Sequence, residues 1–125
     1  MKFIILIHAN PIPWGHPTAH FTDEGRATSA EEHARMDADF DALLAEISAS
    51  GEFVTAEALG DPAESTVHTW QNGEVQTTDG PYAEAKEQLA GFFLIDCATR
   101  ARAEQIALRF AGVGGTIELR PVGAG

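Results

Sequence analysis

The stretch DGPYAEAKE, residues 79–87, leads through residues 88–91 into the apolar segment Phe92–Ile95. Gly80 and Pro81 allow a sharp bend, because glycine has no Cβ and proline has a preset φ. Acidic, basic and phenolic side chains then crowd into a loop that feeds a buried strand, and such loops often carry binding chemistry. This loop is therefore the first candidate for a functional site.

The composition predicts one folded domain over residues 1–125. Its hydrophobic fraction of 44% and charged fraction of 22% lie near ordinary globular values. The formal net charge is −11, from 19 acidic against 8 basic side chains. Because a chain this acidic is repelled by phosphate backbones, we expect no nucleic-acid partner.

Cysteine content and the first residues bear on localisation. Cys97 is the only cysteine, so an intrachain disulfide is impossible, and a free thiol fits the reducing cytoplasm. The apolar run Phe3–Ile7 is shorter than the roughly 7 to 15 residues of most signal-peptide cores and the roughly 20 of a membrane span. We therefore expect a cytoplasmic protein with no membrane partner.

Hydrophobic periodicity predicts six strands and two helices. The predicted strands are Phe3–His8, Phe53–Ala56, Thr66–Trp70, Glu74–Thr78, Gly91–Asp96 and Thr116–Arg120. Asn72-Gly73 is a strong hairpin signal, and the continuous apolar run of the first strand predicts a central position in its sheet. The order is a β-α-β-β-α-β plan with an extra β-hairpin, which predicts a ferredoxin-like α+β sandwich.

The first predicted helix begins at Thr28 or Ser29, each of which can form a capping box, and it ends at Gly51. Its apolar stripe is Met36, Phe40, Leu43, Leu44 and Ile47, whereas Asp37, Asp39 and Asp41 are expected to face solvent. The second helix is predicted over Thr99–Ala111, and residues 9–26 are predicted to form a long loop.

The two helices can cover only one face of the predicted sheet, so the other face needs a partner. A homodimer that packs sheet on sheet satisfies this need. We therefore expect a dimeric assembly resembling an α+β barrel.

Several segments together resemble the YCII-related family, in the branch named for the motif DGPFAETKE. They are Met1–Phe3, residues 79–87, Gly91–Asp96 and Ile117–Val122. Within the motif, Tyr82 stands in place of phenylalanine and Ala85 in place of threonine. The family is similar in fold to ferredoxin-like dimeric α+β barrels, which include small-molecule isomerases and monooxygenases.

The resemblance also implies a kind of chemistry. The better-studied branch of the family is associated with a His-Asp pair that acts without metal or organic cofactor. The histidine of that branch lies on the first helix, where this chain has Phe40. The pair therefore cannot be transferred residue by residue.

The motif loop offers its own candidates. Asp79 would act as a general acid or base, Gly80 and Pro81 would shape the turn, and Tyr82 and Lys86 would orient an anionic or phenolic ligand. The alternative is a structural role, in which Asp79 ties the turn and Lys86 forms an ion pair in solvent.

Two histidines are candidate partners of Asp79. His8 ends the first strand, and His33 extends the apolar stripe of the first helix toward the sheet. Each also has a structural alternative as a hydrogen-bonded, half-buried side chain. Phe40 and Trp14 complete the predicted ligand-binding set.

A metal site is the weaker hypothesis. His16 and His20 have the i,i+4 spacing that would present two imidazoles to one ion on a helix, but Pro17 lies between them and no glutamate follows His16 as in HExxH. We expect no metal and no organic cofactor.

Two functions remain open on the sequence alone. The first is binding of a small organic molecule, with cofactor-independent acid/base catalysis of isomerase or lyase type by Asp79 and a histidine. The alternative, implied by family members found beside or fused to sigma factors, is a non-catalytic regulatory or interaction module. Its partner surface would be the acidic helix face.

Overall fold

The computed structural model describes residues 1–15 and 19–123. The strands are β1 (Lys2–Ala9), β2 (Phe53–Ala58), β3 (Thr66–Gln71), β4 (Glu74–Asp79), β5 (Gln88–Asp96) and β6 (Gly115–Pro121). The helices are α1 (Asp23–Arg26), α2 (Ala30–Ser50) and α3 (Arg100–Phe110), with 3₁₀ turns at Ala19–Phe21 and Pro62–Glu64.

Four strands form an antiparallel sheet in the order β2-β5-β1-β6. β1 is central, as its apolar run predicted, and Ile5 lies between Phe93 of β5 and Leu119 of β6. This α+β arrangement is compatible with the predicted ferredoxin-like fold. β3 and β4 form a second, two-stranded sheet, joined by the turn at Asn72 and Gly73, both of which have positive φ.

The core lies between one face of the four-stranded sheet and the helices α2 and α3. Its largest fully buried hydrophobic side chains are Phe3, Ile5, Leu43, Ile47, Ile95 and Ile106. Ile4 and Leu6, which alternate with the buried residues of β1, are only half-buried. They lie on the opposite face of the sheet, because successive strand side chains point to opposite faces.

The predicted boundaries of α2 are confirmed by its caps. The Ser29 hydroxyl accepts a hydrogen bond from the Glu32 backbone N–H at 3.2 Å. Gly51 ends the helix with φ of 81°, a conformation that glycine adopts without steric cost.

The predicted long loop contains more structure than its sequence suggested, since it includes a 3₁₀ turn and α1. Buried Thr22 connects them, because its hydroxyl donates to the Ala19 carbonyl at 2.9 Å and accepts from the Gly25 N–H at 3.0 Å. A Cβ on Gly25 would overlap the Ala19 carbonyl oxygen. Such close local hydrogen bonding leaves no periodic sequence pattern.

Among the helices described by the structure, none combines the length and the apolarity that a membrane crossing requires.

Candidate functional site

A cavity of about 220 Å³ lies where the end of β1 and the start of β6 meet the helices α2 and α3. Its apolar wall consists of Ile7, Met36, Phe40, Phe110 and Ile117. The backbone of residues 111–115, between α3 and β6, closes one side. The cavity is therefore bounded by both strands and both helices, and much of its wall is apolar.

Aromatic rings pack tightly along this wall. The centroids of Phe40 and Phe110 lie 5.6 Å apart at an interplanar angle of 82°, and Phe93 lies 4.7 Å from Phe110. Edge-to-face contacts of this kind are favourable beyond the area they bury. Phe40 and Phe110 are thus the aromatic part of the cavity wall, and Phe93 packs against them.

Three charged residues line the cavity. Asp37 and Asp39 flank the ridge formed by Met36 and Phe40 on α2, and Arg109 comes from α3. Arg109 Nη1 is 2.8 Å from Glu46 Oε2, so its charge is already partly matched. Asp37 and Asp39 are exposed, as expected, and their positions beside the apolar ridge also bring them to the cavity.

Asp37 is paired with His20, which belongs to the 3₁₀ turn before α1. His20 Nε2 lies 2.9 Å from Oδ2 and 3.1 Å from Oδ1 of Asp37. Asp37 lines the cavity, as do Ala19 and Thr22 on either side of His20, whereas His20 itself is not a lining residue. Because the carboxylate can only accept a hydrogen bond, Nε2 carries a hydrogen, and in the neutral form of the ring the lone pair lies on Nδ1.

The ring of His33 packs against the ring of His20. The two imidazoles stack with centroids 4.0 Å apart and an interplanar angle of 21°. His33 is buried and its Nε2 donates to the Gly25 carbonyl at 2.6 Å, while its buried Nδ1 has no hydrogen-bond partner among the described residues. One continuous set of contacts thus connects Asp37, His20, His33 and Gly25.

Comparison with known proteins matches this chain to the family described as YCII-related domain, over residues 1–123. The chain belongs to the YCII-related family. An uncharacterised protein of Rhizobium meliloti (strain 1021) is similar to it, with 33% identity over 99 residues, which cover 77% of this chain and 80% of the relative. The resemblance suggested by the motif loop is therefore confirmed.

In this YCII-related domain, the motif loop makes contacts that tie several elements together. The Gly80 N–H donates to Ser65 O at 2.7 Å, and a Cβ on Gly80 would lie 2.7 Å from the Ser65 Cβ. Lys86 Nζ is 3.4 Å from Glu24 Oε1 of α1. Glu87 Oε1 accepts from the Thr116 hydroxyl of β6 at 2.6 Å.

The predicted site residues of the loop lie away from the cavity. Asp79 is exposed at the end of β4, in the two-stranded sheet. Pro81 follows Gly80 through a cis peptide bond, and Tyr82 is 85% exposed on an open groove beside Leu89. None of these side chains lines the apolar cavity among the residues that the structure describes.

His8 is separated from the cavity by the sheet. Ile7 and Ala9 line the cavity, so the side chain between them points to the opposite face. There His8 Nε2 lies 3.0 Å from Glu118 Oε1. Arg120, and to a lesser degree His8, lower the pKa of the Glu118 carboxyl.

The remaining predicted residues divide between the cavity and the loop after β1. Phe40 lines the cavity. Trp14 is half-buried, and His16 lies outside the described residues, so the His16–His20 pair has no described geometry. Within the described part of the chain, no group of three or more histidine, cysteine or acidic residues could hold a metal ion.

The pairing of His20 with Asp37 was missed from the sequence. The two residues are 17 positions apart, and no motif connects them. Sequence patterns suggested His20 only as a metal ligand, and Asp37 only as part of an acidic helix face that is either solvated or a partner surface. The available signal was the place of Asp37 directly after Met36, at the border of the apolar stripe.

Proposed function

We propose that this YCII-related domain binds a small organic molecule and catalyses cofactor-independent proton transfer of isomerase or lyase type. The supporting observation is the hydrogen-bonded pair of His20 and Asp37, 2.9 Å apart at the edge of a mainly apolar cavity. The apolar wall would hold the body of the ligand, and the pair at its edge is placed for general acid–base catalysis. In this proposal His20 and Asp37 take the roles that the sequence suggested for Asp79 with His8 or His33.

In the proposed reaction, His20 accepts the proton and Asp37 orients its ring. Nδ1 takes a proton from a C–H or O–H group of the ligand, and the electron pair stays on the ligand. In an isomerisation the proton returns to another ligand atom. In an elimination the electron pair expels a leaving group, which then takes up the proton, while the Asp37 carboxylate stabilises the transient imidazolium.

Hydrogen–deuterium exchange tests this chemistry without knowledge of the natural substrate. A panel of small ring ketones and phenols is incubated with the protein in D₂O, and deuterium incorporation at carbon is followed by NMR. Because a positioned acid or base contributes about 10²- to 10⁴-fold, we expect His20→Gln and Asp37→Asn to slow exchange at least about a hundredfold.

The matched control is Asp41→Asn, which removes the same charge from an exposed position of α2 outside the cavity lining. We expect it to keep the wild-type exchange rate. The pair itself is exposed, with 39% of the His20 and 60% of the Asp37 side chain accessible, so its loss should cost less than about 1 kcal/mol of stability. Wild-type exchange rates in both pair variants would contradict the proposal.

The interaction-module alternative has less support. It would use the acidic face of α2 as a partner surface, yet Asp37 is engaged by His20, and Asp37 and Asp39 line a concave cavity. Concave, mainly apolar cavities with a few polar groups are typical of small-molecule sites.

We also propose that two copies pack through the open face of the four-stranded sheet. Ile4 lies opposite Leu94 and Leu6 opposite Phe92 on this face, and all four are half-buried apolar side chains. Exposed apolar patches of this kind often mark interfaces. Sedimentation of the wild type and of Leu6→Glu tests the proposal, with a dimer expected for the first and a monomer for the second.

A further inference from the structure

We infer that the ligand of this cavity is an uncharged single-ring molecule, and that Asp39 discriminates against analogues that carry a carboxylate. The inference deepens the function proposed above and rests on the same cavity. Three properties of that cavity support it, namely its volume, its aromatic wall and the charges at its rim.

The volume limits the size of the ligand. Apolar cavities of about 150 Å³ hold a benzene molecule. At about 220 Å³, this cavity has room for one ring with one or two small substituents. Part of a larger ligand, such as one with two fused rings, would lie outside the cavity.

The wall favours a flat, apolar ring body. Phe40 and Phe110 both line the cavity and meet edge to face at 5.6 Å, so aromatic surface is available to the ring of a ligand. Aromatic pairs prefer offset-stacked or edge-to-face contact. The ring's polar substituent, a hydroxyl or a carbonyl, would then reach the side of the cavity where Asp37 and His20 lie.

The charged side chains at the rim of the cavity disfavour a negatively charged ligand. Two carboxylates, Asp37 and Asp39, face one guanidinium, Arg109, and Arg109 already pairs with Glu46 at 2.8 Å. Asp37 accepts a hydrogen bond from His20, whereas no hydrogen bond or ion pair engages Asp39 within the described residues. Like charges repel, so a carboxylate bound in the cavity would be repelled by a carboxylate at its rim. Asp39 is therefore the side chain that sets the discrimination.

Two matched probes test the inference by binding alone. The uncharged 4-hydroxybenzyl alcohol and the anionic 4-hydroxybenzoate share one ring and one hydroxyl. Each is titrated into the ¹⁵N-labelled protein at pH 7, and binding is followed through the backbone amides of Gly112, Val113 and Gly114, which line the cavity. We expect the uncharged probe to bind at least about tenfold more tightly than the carboxylate.

Two variants test whether Asp39 causes the preference for the uncharged probe. Asp39→Asn should narrow the ratio of the two dissociation constants to about threefold or less, because it removes the unmatched charge at the rim. Asp41→Asn removes a charge from the same helix outside the cavity lining, so it should leave the ratio unchanged.

The other outcomes contradict specific claims. Equal or tighter binding of 4-hydroxybenzoate overturns the inference, as does a failure of both probes to bind. Equal narrowing of the ratio by Asp39→Asn and Asp41→Asn overturns the assignment to Asp39. Preferential binding of the uncharged probe without deuterium exchange would contradict the proposed catalysis and leave this inference intact. Deuterium exchange confined to anionic substrates would contradict this inference and leave the proposed catalysis intact.

Discussion

Arg102 of α3 binds Glu52, just before β2, through both carboxylate oxygens. Its Nε is 2.9 Å from Oε2 and its Nη2 is 2.9 Å from Oε1, a two-point contact with strict geometry. The same guanidinium donates to Glu46 at 2.9 Å, and Glu46 also receives Arg109. This network joins α2, α3 and the start of β2. Arg109 extends it to the rim of the cavity.

The Arg102–Glu52 contact predicts a pH-dependent stability. Hydrogen bonds from Arg102, and then from Ser50, lower the pKa of Glu52 to about 2. A carboxyl whose pKa is lower in the folded chain stabilises the fold fully above about pH 5, and this contribution declines as the pH falls toward 2. We expect Glu52→Gln to lose about 2 kcal/mol at pH 7 and little at pH 2 in urea unfolding.

The surface pair Arg100–Glu104 provides the control for that measurement. Its atoms are 3.3 Å apart and both side chains are more than half accessible, so Glu104→Gln should cost well under 1 kcal/mol at either pH. A loss in Glu52→Gln that is the same at pH 2 and pH 7 would mean that the carboxylate charge does not contribute.

Gly25 positions the turn that carries His20, and its replacement should disturb both stability and site. A Cβ there would overlap the Ala19 carbonyl oxygen, so Gly25→Ala must displace the turn. We expect a loss of about 1 to 3 kcal/mol, or several degrees of melting temperature. Gly60→Ala is the control, because no atom lies within 4 Å of the place its added methyl group would occupy, and it should be neutral.

His33 is expected to stabilise the fold by packing and by its hydrogen bond. His33→Phe keeps a flat ring against His20 but leaves the Gly25 carbonyl without its donor, so we expect a loss of about 1 to 2 kcal/mol. His33→Ala removes the ring as well and should cost more. Equal unfolding free energies for the two variants would show that the stacking contributes nothing.

Substitution of Asp79 and of Asp37 tests whether the active site lies in the motif loop or at the cavity. Asp79 is exposed at the end of β4, and Asp37 lines the cavity. We expect Asp79→Asn to change stability by less than about 0.5 kcal/mol and to leave deuterium exchange at the wild-type rate, in contrast to Asp37→Asn. Loss of exchange in Asp79→Asn alone would return the active site to the motif loop.

Local sequence patterns were sufficient to predict the elements of the four-stranded sheet and the family. The apolar run of β1 required a central strand, Ser29 and Gly51 set the ends of α2, and the motif of residues 79–87 identified the YCII-related family. Periodicity, capping and turn chemistry depend on neighbours along the chain. These local features can therefore be predicted without any knowledge of tertiary contacts.

The location of the candidate site, in contrast, follows from contacts between distant parts of the chain. His20 and Asp37 are far apart in sequence, and they meet because Thr22 and Gly25 fold the turn back onto α2, where His33 stacks on His20. The alternation of β1 then places His8 on the opposite face of the sheet from the cavity. A site built from such contacts depends on packing geometry, which the spacing of residues along the sequence does not reveal.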